Sequence, residues 1–400
     1  MTQTATPYFP PLQVDYPFSF DLNEVASYGN AVIAYGKASR RKKNYRQVKV
    51  FDEDHTGNFH SLAEDFRTGR YRTGRYELKT INDSGKERQI AKTMDFRDRV
   101  AQWMIGNYLV PQLTAGYYSE HSHAAIPGKG IHTALKEALG YIEEYPEVAK
   151  LDLKKFFMSI NRQVLKSICD GIFEGCPQLR DIVRYIIDDA PGDKGVPIGN
   201  LLSQFLANIY LTPLDRWLES IKAIFVRYMD DLVIFAKTKE ELRKILRDIE
   251  WFAESKLFVK LKENWQIFSV ASRGLDFVGY RMWKGLIMLR KSTLAKFRRA
   301  SFKIQKHLAR KGFVTSSQES TIFSYLGWLM HCSKYIRDKL YEKYFKEIIW
   351  TAGLTVKKKS KLRKYYELPP PKPKHDSKEK PLRRRKTDKP DCNYPLGILH

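Results

Sequence analysis

Two adjacent aspartates between apolar runs are the feature that most limits how this chain can fold. Residues 224–236 read IFVRYMDDLVIFA, so Asp230 and Asp231 separate two short runs of β-prone residues. Burying two neighbouring carboxylates is costly without compensating cations, whereas the tip of a β-hairpin presents them to solvent on a fixed backbone. The pattern therefore predicts a hairpin that carries both aspartates at its tip.

A third carboxylate follows another strand-like run. Asp152 ends the apolar segment 148–151 and precedes Phe156 and Phe157. Taken singly, an Asp pair is common in turns and Asp152 suits a helix cap. If the strands are neighbours, however, the three carboxylates converge and suit two Mg²⁺ ions roughly 3.5–4 Å apart, as in in-line phosphoryl transfer.

The charge of the chain favours a polyanionic partner. Its 400 residues include 70 Lys and Arg against 45 Asp and Glu, a net charge of +25. Phosphate contacts that release counterions are the usual reason for such an excess, so nucleic acid is preferred over a membrane surface. No apolar run approaches a membrane span and no secretory leader is visible, so we expect a cytoplasmic protein. Four cysteines in 400 residues are too few for a disulfide scaffold, and the absence of a Cys-x-x-Cys pair argues against a structural zinc.

Two segments concentrate the positive charge. Residues 357–390 hold 15 Lys or Arg against 4 Asp or Glu and several prolines, which predicts a basic tail that is disordered until bound. A second basic run extends from Lys37 to Lys49. Either segment serves as a solvated surface or as a specific contact.

The remaining chain alternates strand-like and helical patterns, which predicts an α+β sheet with helices on one face. Helical patterns cover residues 62–67, 95–110, 161–189, 198–220, 239–255 and the chain from 294 onward. Strand-like patterns cover a hairpin at 71–92 and the segments 148–151, 224–228, 232–236, 257–262, 265–270 and 275–283.

The spacing of these motifs resembles that of reverse transcriptases. Tyr228-Met229-Asp230-Asp231 resembles the Tyr-x-Asp-Asp box of that family, and Asp152 with Phe156-Phe157 resembles its first catalytic motif. The resemblance implies RNA-directed DNA polymerisation by a right-hand polymerase fold with a ferredoxin-like palm, mixed α/β fingers and a helical thumb. The implied domains are an N-terminal extension (1–29), fingers (30–146), palm (147–290, with a fingers insert near 161–194), thumb (291–355) and the basic tail (356–400).

The box between the two carboxylate motifs points to a subgroup. Ile198-Gly199 followed by Ser203-Gln204 resembles reverse transcriptases of diversity-generating retroelements, where other groups have Gln-Gly and Ser-Pro. That subgroup implies a bacterial or phage enzyme that copies a template-repeat RNA into adenine-mutagenised cDNA, with a small basic accessory protein. An apolar Ile198 in place of a hydrogen-bonding residue suggests a cause of low fidelity. The alternatives are another bacterial reverse transcriptase, group II intron-like or phage-defence, and a catalytically idle RNA-binding protein with the same fold.

The resemblance also implies roles for individual residues. Asp152, Asp230 and Asp231 are the expected catalytic residues and hold two Mg²⁺ ions, or Mn²⁺ as a substitute, together with the carbonyl of Leu153. Either Lys260 or Lys262 is the expected proton donor to pyrophosphate. The expected dNTP contacts are Arg88, Phe157, Ile198, Gly199, Ser203, Gln204, Tyr228 and Met229. The expected primer grip is Gly274, Phe277, Gly279 and Tyr280, and the expected contacts to the template–primer backbone are Lys296, Arg298, Arg299 and Lys303.

Overall fold

The computed structural model describes residues 18–83, 86–355 and 360–369, and the chain divides into two compact units at Ser269 and Val270. The helices of the first unit are α1 Leu22–Val25, α2 Tyr28–Ala38, α3 Arg46–Glu53, α4 His55–Arg67, α5 Phe96–Gln112, α6 Ile131–Glu144, α7 Phe156–Ser159, α8 Arg162–Ile172, α9 Pro177–Asp188, α10 Leu201–Ser220 and α11 Lys239–Ser255. Its strands are β1 Tyr76–Asp83, β2 Lys86–Thr93, β3 Glu147–Asp152, β4 Ile224–Tyr228, β5 Asp231–Ala236 and β6 Gln266–Ser269.

A four-stranded antiparallel sheet lies at the centre of the first unit, in the order β4-β5-β3-β6. From Leu232 to Ala236, every residue of β5 is buried, although successive side chains point to opposite faces of the sheet. Helix α11 packs against β3, β5 and β6, while Tyr141 of α6 contacts Phe235. Both faces of the sheet are therefore covered, and the expectation of helices on one face is wrong.

Local chemistry accounts for several predicted elements. The hydroxyl of Thr238 caps α11 by accepting the Glu241 N–H, and the predicted apolar face of α11 is buried at Leu242, Ile249 and Phe252. The predicted helix at 161–189 is interrupted, since Pro177 begins a new helix after Cys176. The hairpin predicted at 71–92 is confirmed as β1–β2.

Two predicted elements differ from the structure. The predicted helix at 198–220 begins only at Leu201, so Ile198 and Gly199 lie in the preceding turn and not on the helix. The segment 257–262 is not a strand, because its backbone groups form hydrogen bonds with several different partners and not with one neighbouring strand. It forms a single bridge between Leu261 and Leu153, and the carbonyl of Leu257 accepts the hydroxyl of Tyr210.

The second unit contains a small antiparallel sheet and a group of helices. Its elements are α12 Val270–Arg273, β7 Leu275–Phe277, β8 Tyr280–Trp283, β9 Leu286–Leu289, α13 Lys291–Lys311, α14 Ser316–Leu329, α15 Lys334–Tyr341 and α16 Glu347–Thr351. Most of the predicted basic tail lies outside the described residues. The predicted domain boundaries stay predictions, and among the described residues no helix is long and apolar enough to cross a membrane.

Candidate active site

The sheet brings the carboxylates of two strands together. Asp152 ends β3, Asp231 begins β5, and the two residues are direct partners in the antiparallel register. Asp230 lies in the turn between β4 and β5, after Met229, whose φ of 56° is left-handed. The predicted hairpin and the predicted convergence of Asp152 with the Asp pair are therefore both present.

The carboxylates also affect one another electrostatically. Burial raises the pKa of Asp230, the charges of Asp152 and Asp231 raise it further, and Lys262 opposes them, so that the pKa rises to about 6. A carboxylate pair that shares one site resists full ionisation because like charges repel. The cluster is therefore stabilised by added positive charge.

Lys262 supplies one such charge. Its ammonium group forms an ion pair with Oδ2 of Asp152, and its backbone N–H donates to the Asp152 carbonyl at 2.8 Å. The other carboxylate oxygen, Oδ1, is buried and has no hydrogen-bond partner among the described residues. Lys260 is exposed, and its carbonyl accepts the N–H of Lys154, so the structure brings only Lys262 of the two candidate lysines to the carboxylates.

The donor set fits a hard divalent cation. Carboxylate oxygens are the ligands that Mg²⁺ prefers, and the partnerless Oδ1 of Asp152 beside a mutually repelling Asp pair is open to such an ion. Across the described parts of the chain, however, no group of three His, Cys, Asp or Glu side chains is already arranged as a metal site.

The predicted nucleotide box is a loop held by backbone bonds. Val196 N–H donates to the Phe157 carbonyl at 2.8 Å, and Ala91 N–H of β2 donates to the Ile198 carbonyl at 3.1 Å. Gly199 follows with a φ of 105°, which glycine adopts readily. The loop therefore ties the β1–β2 hairpin to the segment that follows Asp152.

The remaining predicted nucleotide contacts differ in exposure. Phe157, Ile198, Gln204 and Tyr228 are half-buried, whereas Ser203 is buried inside α10. The backbone of Arg88 pairs with Ile81 in the hairpin, and its side chain lies outside the described atoms. Leu153 is buried, and only its carbonyl is an expected metal ligand.

The predicted primer-grip and template-contact residues belong to the second unit. Phe277 and Tyr280 are fully buried there, and the Tyr280 hydroxyl donates to the Trp328 carbonyl at 3.0 Å. Gly274 and Gly279 both have positive φ, and a Cβ at either position would collide with a tryptophan ring. Exposed side chains on α13 include Lys296, Arg298, Arg299 and Lys303.

Sequence reasoning missed a buried polar network behind the carboxylate hairpin. Arg227, 1% exposed, pairs with Asp215 of α10, which is 0% exposed, through bonds of 2.7 and 2.5 Å. A third bond of 2.9 Å joins Arg227 Nη1 to the carbonyl of Met229. The signal present in the sequence was a charged residue inside an apolar strand, since a buried charge requires a buried partner.

A second missed cluster joins two histidines to one glutamate. Glu137 of α6 bonds His121 Nδ1 at 2.5 Å, and its other oxygen bonds His123 Nε2. Burial alone would raise the pKa of Glu137, but the two hydrogen bonds outweigh it and lower the pKa to about 2. The cluster fastens the segment beside β4, since Ser122 forms a parallel bridge to Arg227.

Comparisons with known proteins agree with this geometry. The model of the family described as "Reverse transcriptase (RNA-dependent DNA polymerase)" matches residues 79–282, just over half of the chain. The putative COX1/OXI3 intron 2 protein of Saccharomyces cerevisiae is 19% identical over 321 residues, which cover 62% of this chain and 37% of that protein. The chain thus spans just over a third of the length of this curated relative.

The chain is also similar to solved structures of two telomerases. Apo telomerase from Candida tropicalis is 14% identical, covering 70% of this chain and 58% of that one with a TM-score of 0.44. Telomerase from Candida albicans in complex with a TWJ fragment of telomeric RNA is 12% identical, covering 71% and 58% with the same TM-score. Because the family match extends from the β1–β2 hairpin through both carboxylate-bearing elements, the chain belongs to the reverse transcriptase family of RNA-directed DNA polymerases, whose fold is the right-hand polymerase fold.

Proposed function

We propose that this enzyme is the reverse transcriptase of a diversity-generating retroelement, and that it copies a template-repeat RNA into adenine-mutagenised cDNA. The observation that carries the proposal is the sequence of the box, with Ile198-Gly199 in the loop and Ser203-Gln204 in the first turn of α10. The Ile198 carbonyl is bonded to β2, so this loop has a fixed backbone beside the proposed nucleotide site. An apolar side chain there lacks the hydrogen bonds by which polar contacts discriminate between substrates.

Asp152, Asp230 and Asp231, with the Leu153 carbonyl, would hold two Mg²⁺ ions, for which Mn²⁺ is a substitute. When bound, such ions activate the attacking 3′-hydroxyl and neutralise the pyrophosphate that leaves. We assign the dNTP to Arg88, Phe157 and Tyr228 and the other box residues. We assign the primer to the β7–β8 hairpin and the template–primer backbone to α13.

We further propose that a small basic accessory protein encoded by the same element assists the enzyme, in the cytoplasm of a bacterium. The candidate contact surfaces for this accessory protein are the basic tail and the segment Lys37–Lys49.

An intron-type reverse transcriptase is the second candidate, favoured by the likeness to the yeast intron 2 protein. Primer extension on an RNA template with Mg²⁺ and dNTPs, followed by sequencing of the products, separates the candidates. We expect Asp230→Asn to abolish extension, and errors of the unmodified enzyme to concentrate opposite template adenines, with and without the co-encoded basic protein.

Accurate extension would retain the polymerase and remove the retroelement assignment. Tight RNA binding without extension under any condition would instead indicate an idle RNA-binding protein. Ile198→Gln tests the fidelity argument, because misincorporation at adenine that stays unchanged in this variant would contradict it.

A further inference from the structure

The side chain of Arg227 is built into the interior with almost no freedom. It lies on β4, is 1% exposed, and uses Nε and Nη2 for the two carboxylate oxygens of Asp215 at 2.7 and 2.5 Å. A bidentate pair of this kind fixes the plane of the guanidinium group as well as its position. The direction of the remaining nitrogen, Nη1, is therefore set by the fold.

Nη1 points at the turn that carries the catalytic aspartates. It donates to the Met229 carbonyl at 2.9 Å and to Asn208 Oδ1 at 3.2 Å. Met229 has a φ of 56°, a left-handed conformation that is unfavourable for a residue with a side chain. Since the Met229 carbonyl and the Asp230 N–H share one peptide plane, the bond from Arg227 orients the backbone from which Asp230 begins.

Two further elements hold Arg227 from its backbone side. Its N–H donates to the His121 carbonyl at 2.8 Å, and its carbonyl accepts the His123 N–H at 3.0 Å. The Asn208 side chain donates to the Ala124 carbonyl at 2.6 Å, which links α10 to the same segment. The guanidinium thus joins α10 to one carbonyl in the turn, while the backbone of Arg227 joins β4 to the segment that contains His121 and His123.

We propose that Arg227 is a positioning residue for nucleotidyl transfer. It holds the Met229–Asp230 peptide in the orientation that places Asp230 and Asp231 opposite Asp152, and Asp215 fixes the guanidinium for that purpose. The inference rests on the polymerase activity of the family and does not depend on the retroelement assignment.

The first test is Arg227→Lys, which keeps the charge and loses the fork. We expect kcat for single-nucleotide incorporation to fall about 10- to 100-fold, because small misplacements of reacting groups have effects of that size. The KM for dNTP and the affinity for template–primer should stay within about twofold of the unmodified enzyme. Arg216→Lys is the matched control, because Arg216 of α10 also binds carbonyls, those of Gly116 and Tyr117, without touching the hairpin.

The second test is rescue by Met229→Gly, since glycine adopts the left-handed conformation at no steric cost. If the bond to the Met229 carbonyl is what holds the turn, the double variant Arg227→Lys/Met229→Gly should recover kcat at least about threefold relative to the product of the two single effects. A core-packing role for Arg227 predicts simple multiplication of the two effects, and that result would overturn the proposal.

Folding is monitored by circular dichroism and thermal melting of each full-length variant. If Arg227→Lys does not fold, Asp215→Glu decides the question, because it keeps the buried negative charge and displaces the carboxylate that orients the guanidinium. We then expect a fall in kcat of about fivefold with the same rescue by Met229→Gly. A fall in template–primer binding that parallels kcat in either variant would refute a positioning role.

Discussion

Lys262 places a positive charge beside the carboxylate cluster. It pairs with Asp152 and opposes the rise in the pKa of Asp230 that burial and the two neighbouring carboxylates produce. An ammonium group at this place can also supply a proton to the pyrophosphate as it leaves. Lys260, two residues earlier, is exposed, and its carbonyl accepts the Lys154 N–H.

We therefore expect Lys262→Ala to lower kcat about 100-fold or more, as the loss of a general acid does. Lys260→Ala is the matched control and should retain kcat within about twofold. Single-nucleotide incorporation, measured from pH 6 to pH 9, gives kcat for both variants. Equal losses in the two variants would contradict the assignment to Lys262.

Asp98 makes the stability of the first unit depend on pH. Its carboxylate is 2% exposed and accepts the Tyr71 hydroxyl at 2.9 Å and the Gly74 N–H at 3.0 Å. Burial outweighs these bonds and raises the pKa of Asp98 from 3.8 to about 6. Between those two pH values the folded chain binds more protons than the unfolded chain, so stability falls as pH rises, by at most about 3 kcal/mol.

Asp98→Asn removes this titration. We expect the difference in free energy of unfolding between the unmodified protein and the variant to decline from pH 4 to pH 7.5, as followed by urea denaturation. Asp52→Asn is a suitable control, because Asp52 is an exposed carboxylate that also accepts a tyrosine hydroxyl, that of Tyr35. A difference for Asp98→Asn that stays constant across this range would argue against a buried ionisation.

At the scale of elements, the box loop depends on a close backbone approach at Gly195. Its φ is 83°, and a Cβ there would lie 2.7 Å from the Phe157 carbonyl oxygen and 2.8 Å from Met158 Cα. Gly192 has nearly the same φ, 79°, but nothing within 4 Å of an added Cβ. An alanine at Gly192 therefore tests the cost of the left-handed backbone alone, whereas an alanine at Gly195 adds a steric collision.

We expect Gly192→Ala to destabilise the protein by about 1 kcal/mol, as is usual for a left-handed alanine. Gly195→Ala should cost about 1–3 kcal/mol more, because backbone must shift to relieve the overlap. It should also raise the KM for dNTP, since the displaced segments carry Phe157 and Ile198. Urea denaturation and incorporation kinetics provide the comparison, and equal effects of the two alanines would show that the collision is relieved without consequence.

Elements whose signal is local were predicted from the sequence, and elements set by partners were not. The periodic apolar face of α11 and the apolar runs of β4 and β5 are recognisable in the sequence without knowledge of their partners. Residues 257–262 have strand-like composition, yet they bond to β3 and to the Tyr210 side chain in turn, which composition does not reveal. For the same reason the carboxylates were predicted and Arg227 was not, because its role depends on Asp215, twelve residues earlier on another element.

At the scale of the whole chain, the excess positive charge has a structural location. Helix α13 contains no acidic residue, and it exposes Lys296, Arg298, Arg299 and Lys303. Helix α11 also exposes cations, but it interleaves them with acids, as in the ion pair between Arg243 and Glu240. Net charge alone predicted a polyanionic partner, whereas the contrast between these two helices shows that α13 carries cations with no acidic residue in the same helix.

Phosphate binding by α13 should therefore dominate the salt dependence of the affinity for nucleic acid. Replacing Lys296, Arg298, Arg299 and Lys303 by Gln should reduce the slope of log K against log salt for an RNA–DNA duplex by about 0.7–0.9 for each phosphate that is no longer neutralised, without altering base preference. The matched control replaces Lys239, Arg243, Lys244 and Arg247 of α11 by Gln, which removes the same formal charge. Fluorescence anisotropy across a range of salt concentrations measures both slopes. If the affinity of the α11 control for nucleic acid falls as far as that of the α13 variant, the effect comes from the net charge of the protein. The two variants lose the same formal charge, so only direct phosphate binding by α13 predicts a difference between them.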